Sequence, residues 1–240
     1  PALKAAIIHC IANGIQIPDA VLSFLEEIGL ANVKALQDYD NTLTRLVAIR
    51  IQELRQTLVV PGSFGEDLAI AIDAGLNEAW LSGLRANDAE QTDEWQAILD
   101  EIITEEKIHI PELSQYLADM APEAETIGDA ITTAQSRLSL WINRYNDVYN
   151  QAILASAEEK TKLEWVYGDT QHCDTCEMLN GLVAYAREWD ESGLHPQMPP
   201  NQALSCRGWK CQCELIPTDK RRNQNILARL QSIAGQQSGV

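Results

Sequence analysis

Along the front of the chain, apolar residues recur three or four positions apart, the spacing of one face of a helix. Pro1–Asn13 lines up Leu3, Ala6, Ile7, Cys10 and Ile11 and stops at Gly14. Pro18-Asp19 opens a second helix through Val21, Leu22, Phe24, Leu25 and Ile28. Asp40 or Asn41 is placed to cap a third, with Leu43, Leu46, Val47, Leu54 and Leu58 inward and Pro61-Gly62 as its end. Ser63 and Glu66 have the spacing of a capping box for Phe64–Arg85. Thr92 is the expected cap of Asp93–Lys107, whose leading Asp93 and Glu94 suit the helix dipole.

The longest element is expected over Glu123–Ala157. Ile127, Ile131, Ala134, Leu138, Trp141, Tyr145, Val148 and Ala152 form a heptad-like stripe on a helix of about 50 Å. Leu140, Ile142, Ile153 and Leu154 lie off that stripe, which favours packing inside the chain over a two-stranded coiled coil, with an oligomer contact as the alternative. Trp80, Trp95 and Trp141 fall on such stripes and are expected in the core. Beyond Lys162 the pattern changes. Leu163–Tyr167 reads as a short strand, and Asn180-Gly181 between Met178-Leu179 and Leu182-Val183 is a two-residue hairpin signal. Gly193–Gln202 is a Pro-rich loop. Thr218 or Asp219 then caps a last helix with Ile226, Leu227, Leu230 and Ile233 on one face and Gly235 as its stop.

The expected fold is mainly α: a helical body with a long helix, a small module containing a β-hairpin, and a C-terminal helix. The expected divisions are 1–62, an N-terminal helical region; 63–160, the helical body; 161–216, a cysteine-rich module; and 217–240, the last helix and tail. With 240 residues, 45% hydrophobic and 22% charged, the composition is that of a folded chain. No apolar run approaches the ~18 residues that span a bilayer, so no membrane partner is expected. No basic region or cleavage site marks a signal peptide, and the start at Pro1 suggests a processed or trimmed chain.

The net charge of −17 argues against a general nucleic-acid coat. It is unevenly placed: residues 1–160 carry −16, and residues 161–240 carry −1. Cysteines divide the other way. Only Cys10 lies in front, while Cys173, Cys176, Cys206, Cys211 and Cys213 fall within 41 residues.

A Cys-x-x-Cys knuckle lets two sulfurs face one ion, and zinc in a structural role takes four thiolate or imidazole ligands. The favoured set is Cys173, Cys176, Cys211 and Cys213, with Cys206 the main competitor and His172 and His195 as substitutes or supporting donors. Arg207 and Lys210 are placed to offset the thiolate charge, and Trp165, Trp189 and Trp209 to supply packing around the cluster. Structural Zn2+ is favoured over disulfides, free thiols, a catalytic zinc with Asp174 or Glu177, and a thioredoxin-like role.

At these residues the chain resembles the phage head-morphogenesis family, typified by the minor head protein of phage Mu. The resemblance rests on Trp165, Gly168-Asp169, His172-Cys173-Asp174-Thr175-Cys176, Leu179-Asn180-Gly181 and Cys211-Gln212-Cys213-Glu214-Leu215. It extends more weakly to Ala74–Gly83, covering roughly residues 64–215. The common His-Pro-x-Cys-Arg-Cys ending is replaced by Cys206–Cys213, with His195-Pro196 upstream, which leaves the fourth ligand open. Residues 1–60 lie outside the resemblance. It implies a structural minor capsid protein of the virion. Such a protein acts in head assembly at or near the portal, beside portal or major capsid proteins in an oligomeric assembly, and passes through the host cytoplasm during assembly.

No enzyme is expected. Asp93-Glu94, Glu105-Glu106 and Glu158-Glu159 read as solvated helix faces, and His9 and His109 as core or boundary residues. Gly-x-Ser-x-Gly, His-Glu-x-x-His and phosphate-binding Gly motifs do not occur. The rival reading is a zinc-ribbon nucleic-acid-binding protein, using Trp209 between Arg207 and Lys210 together with Lys220-Arg221-Arg222. A local contact of this tail with packaged DNA is compatible with the capsid reading as well.

Overall fold

Leu36, Tyr39, Leu43, Val47 and Ile51 are all buried and recur every three or four residues, giving Ala31–Arg55 (α1) one inward face. The same logic builds α2 (Ser63–Arg85), α3 (Asp93–Lys107), α4 (Ile110–Met120) and α5 (Ile127–Ser156). The remaining elements are β1 (Lys162–Val166), α6 (Asp174–Leu179), β2 (Val183–Tyr185), α7 (Ala186–Ser192), β3 (Glu214–Pro217) and α8 (Ile226–Gln237). This computed structural model describes residues 31–56, 63–167, 172–197, 201–208 and 213–237, and within them the fold is mainly α, as expected. The helices expected before residue 30, the Pro61-Gly62 stop, the Ser63 cap and the Trp209 side chain lie outside the described residues.

Two compact units form. The helical unit comprises described residues within 10–82 and 91–145; the cysteine unit comprises 83–90 and described residues from 146 onward. Neither unit is one continuous segment.

In the helical unit, the Tyr39 and Tyr145 rings pack at 5.6 Å between centroids, tilted by 32°. Gly75 lies against the Tyr39 ring so closely that a Cβ there would overlap it. Lys107 pairs with Asp73 at 2.6 Å, and Arg144 with Glu106 at 2.9 Å. The Arg55 guanidinium donates to the carbonyls of Ala121, Ala124 and Glu125, tying the end of α1 to the turn before α5.

Several boundaries differ from expectation. Asp40 caps nothing: α1 already runs through it, because Leu36 and Tyr39 extend the apolar face upstream. It is left buried inside the helix, 6% exposed, with the Thr44 hydroxyl donating to it at 3.5 Å. Burial pushes its carboxyl up to about 6. Thr92 does cap α3, accepting from the Trp95 N–H at 3.2 Å, although Trp95 itself is only half-buried. Helix α4, which the pattern did not single out, starts with Pro111 in its first turn, where a missing N–H does no harm. Helix α5 starts at Ile127, not Glu123, because Thr126 and Asp129 close a reciprocal cap: each side chain accepts from the other's N–H at 3.1 Å. From Ala134 to Ala152 the stripe is buried as expected, but Ala130 replaces Ile131 on it, and Ile127 is exposed.

In the cysteine unit the three strands pair antiparallel in the order β2-β1-β3. Leu163, Trp165, Trp189, Leu194, Leu204, Leu215, Ile226, Leu230 and Ile233 form its core together with Cys176 and Cys213. Trp165 and Trp189 lie 5.7 Å apart, and the Trp189 indole N–H donates to the Leu163 carbonyl at 3.1 Å. Helix α8 begins at Ile226 rather than at Thr218 or Asp219, and it runs through Gly235 to Gln237. A glycine only lowers helix propensity; it stops a helix when the chain turns left-handed there.

Candidate metal centre

Cys173, Cys176 and Cys206 bring their sulfurs within 4.8 Å of one another. Cys173 and Cys176 reach this position from one turn. Cys173 is the N-cap of α6, its Sγ accepting from the Cys176 N–H at 3.5 Å, and the two sulfurs are 3.4 Å apart. This turn replaces the expected Asn180-Gly181 hairpin. Met178 and Leu179 are helical, and Asn180-Gly181 carries the chain from α6 into β2, with Gly181 at φ 77°. Asn-Gly suits a left-handed helix terminus as well as a hairpin, and the Cys173 cap decides between them. The Gly181 N–H donates to the Trp165 carbonyl at 2.8 Å, and the Asn180 side chain accepts from the Tyr167 N–H at 3.2 Å.

Cys206 comes from a second tight loop. Leu204 anchors it in the core at 1% exposure. The Arg207 N–H donates to the Leu204 carbonyl at 2.8 Å, and the Asn201 N–H to the Arg207 carbonyl at 2.9 Å. Arg207 and Gly208 then follow with φ of 53° and 79°, two left-handed residues in succession that turn the chain sharply after the sulfur. The two loops are bonded to each other through Thr175, which is fully buried. Its Oγ1 lies 2.6 Å from Ser205 Oγ and accepts from the Ser205 N–H at 3.0 Å.

Cys206, ranked as a competitor, joins Cys173 and Cys176, because its loop is folded against their turn. Cys213 is buried at the start of β3, outside that group of three, with its sulfur 3.9 Å from His172 Nδ1. The His172 ring stacks on Tyr167 at 3.7 Å. Cys211 and Lys210 lie outside the described residues. None of the four described cysteines is in a disulfide. His195 stands on Asp190 at 3.6 Å; burial pushes its pKa down, and the Asp190 carboxylate partly opposes that. Burial, followed by Glu177 and the thiols of Cys213, Cys176 and Cys173, pushes the Tyr167 phenol up.

Three thiols this close suit a soft or borderline metal ion. Tetrahedral zinc with Zn–S bonds near 2.3 Å sets its sulfurs about 3.8 Å apart, a spacing the trio already approaches. The three cysteines can therefore hold a metal ion.

Two cations of the exposed basic run after β3 are already paired with carboxylates of the same unit. Lys220 Nζ is 2.6 Å from Glu164, a buried carboxylate on β1. Arg222 forms a two-point fork on Glu188, buried in the first turn of α7, and lies over the Tyr185 ring at 5.2 Å. That fork holds the Glu188 carboxyl below its ordinary range. Two of the three adjacent cations are thus neutralised internally.

The other candidate chemistry is dispersed. Asp93, Glu94, Glu105, Glu158 and Glu159 are exposed, while Glu106 is paired with Arg144. His109 is exposed and paired with Glu112 at 3.4 Å, not in the core, because Ile110 takes the inward position at the start of α4. Among the described residues, no helix is long and apolar enough to cross a membrane. No family model, no curated protein and no solved structure matches the chain.

Proposed function

We propose that the protein is a structural minor capsid protein of a tailed bacteriophage or prophage, acting in head morphogenesis at or near the portal, and that it carries a structural zinc ion. The observation that carries this reading is the convergence of Cys173, Cys176 and Cys206. It occurs in the segment where the resemblance to the head-morphogenesis family is most specific. Zinc takes these three thiolates and a fourth ligand from Cys211 or Cys213, with Cys213 buried in the same core cluster. The site's role is mechanical. It fixes two loops of the cysteine unit to each other, leaving the acidic helical part to dock on portal or major capsid proteins. No step of catalysis is assigned to it. The nucleic-acid reading has less support, since Lys220 and Arg222 are already engaged by Glu164 and Glu188.

Metal analysis of the purified full chain tests the centre. About one zinc per chain is expected, and chelation should loosen the two cysteine loops. A chain that purifies without metal and binds none would overturn it. Cross-linking after co-expression with a portal protein tests the assembly role: contacts from the helical unit are expected, and a consistent lack of them would remove it.

A further inference from the structure

We infer that Thr175 is the positioning residue of the metal centre, setting the distance between Cys206 and the Cys173–Cys176 pair before any ion arrives. This rests on the metal reading above. Thr175 sits between the two cysteines of the first turn, and Ser205 immediately precedes the cysteine of the second. Their side-chain oxygens are 2.6 Å apart, and the Thr175 oxygen also accepts the Ser205 N–H at 3.0 Å. Each contact is one residue from a ligand sulfur, so small displacements of the clamp pass almost undiminished to the thiols.

Burial sharpens the argument. A threonine with 0% exposure has given up water, and its hydroxyl needs an internal partner. The Ser205 backbone and side chain supply both halves of that requirement. The second loop is stiff in its own right, closed by the Asn201–Arg207 and Leu204–Arg207 backbone bonds and anchored by Leu204. Two stiff loops joined at one point leave little freedom other than rotation about the joint, and that rotation is what would separate Cys206 from its partners. The clamp therefore lowers the ordering cost of metal capture, as outer hydrogen bonds do for other metal ligands.

The test uses the full chain carrying Thr175→Val, Thr175→Ser or Ser205→Ala, each titrated with Co2+ and Zn2+ against a competing chelator. Thr175→Val should weaken metal binding by about 10- to 100-fold, the range seen when such supporting bonds are lost. Thr175→Ser should restore most of it, and Ser205→Ala, which keeps the backbone bond, should fall between. Trp165 and Trp189 fluorescence reports whether the unit stays folded; if Thr175→Val unfolds it, the order of Thr175→Ser and Ser205→Ala decides. A metal-free measurement separates this inference from the metal reading. When the apo chain is oxidised with diamide, cross-linking of Cys206 to Cys173 or Cys176 should be several-fold slower in Ser205→Ala than in the parent. Equal metal affinity and equal cross-linking in the variants would overturn the positioning role. A parent chain that cross-links as expected yet binds no metal would overturn the metal reading alone.

Discussion

Arg222 grips both carboxylate oxygens of Glu188, while the same carboxylate accepts the Tyr185 N–H at 2.9 Å at the start of α7. One buried acid thus joins the end of β2, the first turn of α7 and the segment leading to α8. Glu188→Gln leaves the guanidinium without its counter-charge and should destabilise the cysteine unit by about 1–2 kcal/mol, since Arg222 keeps access to water. Denaturant unfolding followed by tryptophan fluorescence measures it. Arg222 holds the Glu188 carboxyl below its ordinary 4.5, so the pair's contribution is present above that pH and fades as pH falls through the lower folded value. The parent should lose this part of its stability in acid, and the Gln variant should show no such loss.

Lys220 and Arg222 look like nucleic-acid contacts in sequence, but each is paired with a carboxylate of the same unit. Replacing both by Ala should lower the unfolding midpoint and leave any DNA affinity unchanged. A salt titration with duplex DNA is the check. If the double variant reduced the slope of log affinity on log salt by about 2, these cations would be phosphate contacts after all.

Asp40 lies inside α1 with its carboxyl raised to about 6 from 3.8. A carboxyl raised on folding favours the folded state most below its unfolded value and loses that contribution as pH rises through the folded one. Asp40→Asn should therefore stabilise the helical unit near neutral pH by roughly 1–2 kcal/mol, less than the full shift implies because water screens part of the charge. Thermal unfolding between pH 4 and 7 should show a falling parent curve and a flatter variant curve. Parallel curves would show that Asp40 does not titrate there.

Gly75→Ala places a methyl group in the Tyr39 ring, which is packed on Tyr145. The ring and its neighbours must shift, at about 1–3 kcal/mol. A drop in unfolding free energy of that size, with the helical content kept, is the expected result; a neutral substitution would mean that α1 and α2 can separate freely at this point.

Periodicity was legible wherever one apolar face decided the outcome. The α2 and α3 ranges and most of the α5 stripe follow directly from it, and the Thr92 cap was visible as a polar residue before an acidic turn. Local signals with two meanings were not resolvable. Asn180-Gly181 serves a hairpin or a helix end, and only the Cys173 sulfur bonded to the Cys176 N–H selects the second. The cysteine cluster itself was plain from spacing, but its membership was not. Cys206 joins it through Thr175 and Ser205, whose pairing across 30 positions leaves no periodic trace. In the same way, nothing in Lys220-Arg221-Arg222 announces that two of these side chains meet carboxylates more than thirty residues earlier.

The Thr175–Ser205 bond has a consequence for the connectivity of the chain. Residues 176–204, carrying β2 and α7, leave and return through the same point, so this excursion is a ring closed by a hydrogen bond, which an ion held by Cys173, Cys176 and Cys206 would close a second time. With the ion in place, a protease cut within the ring would not release either fragment, and the nicked protein would travel as one molecule until a chelator opened it.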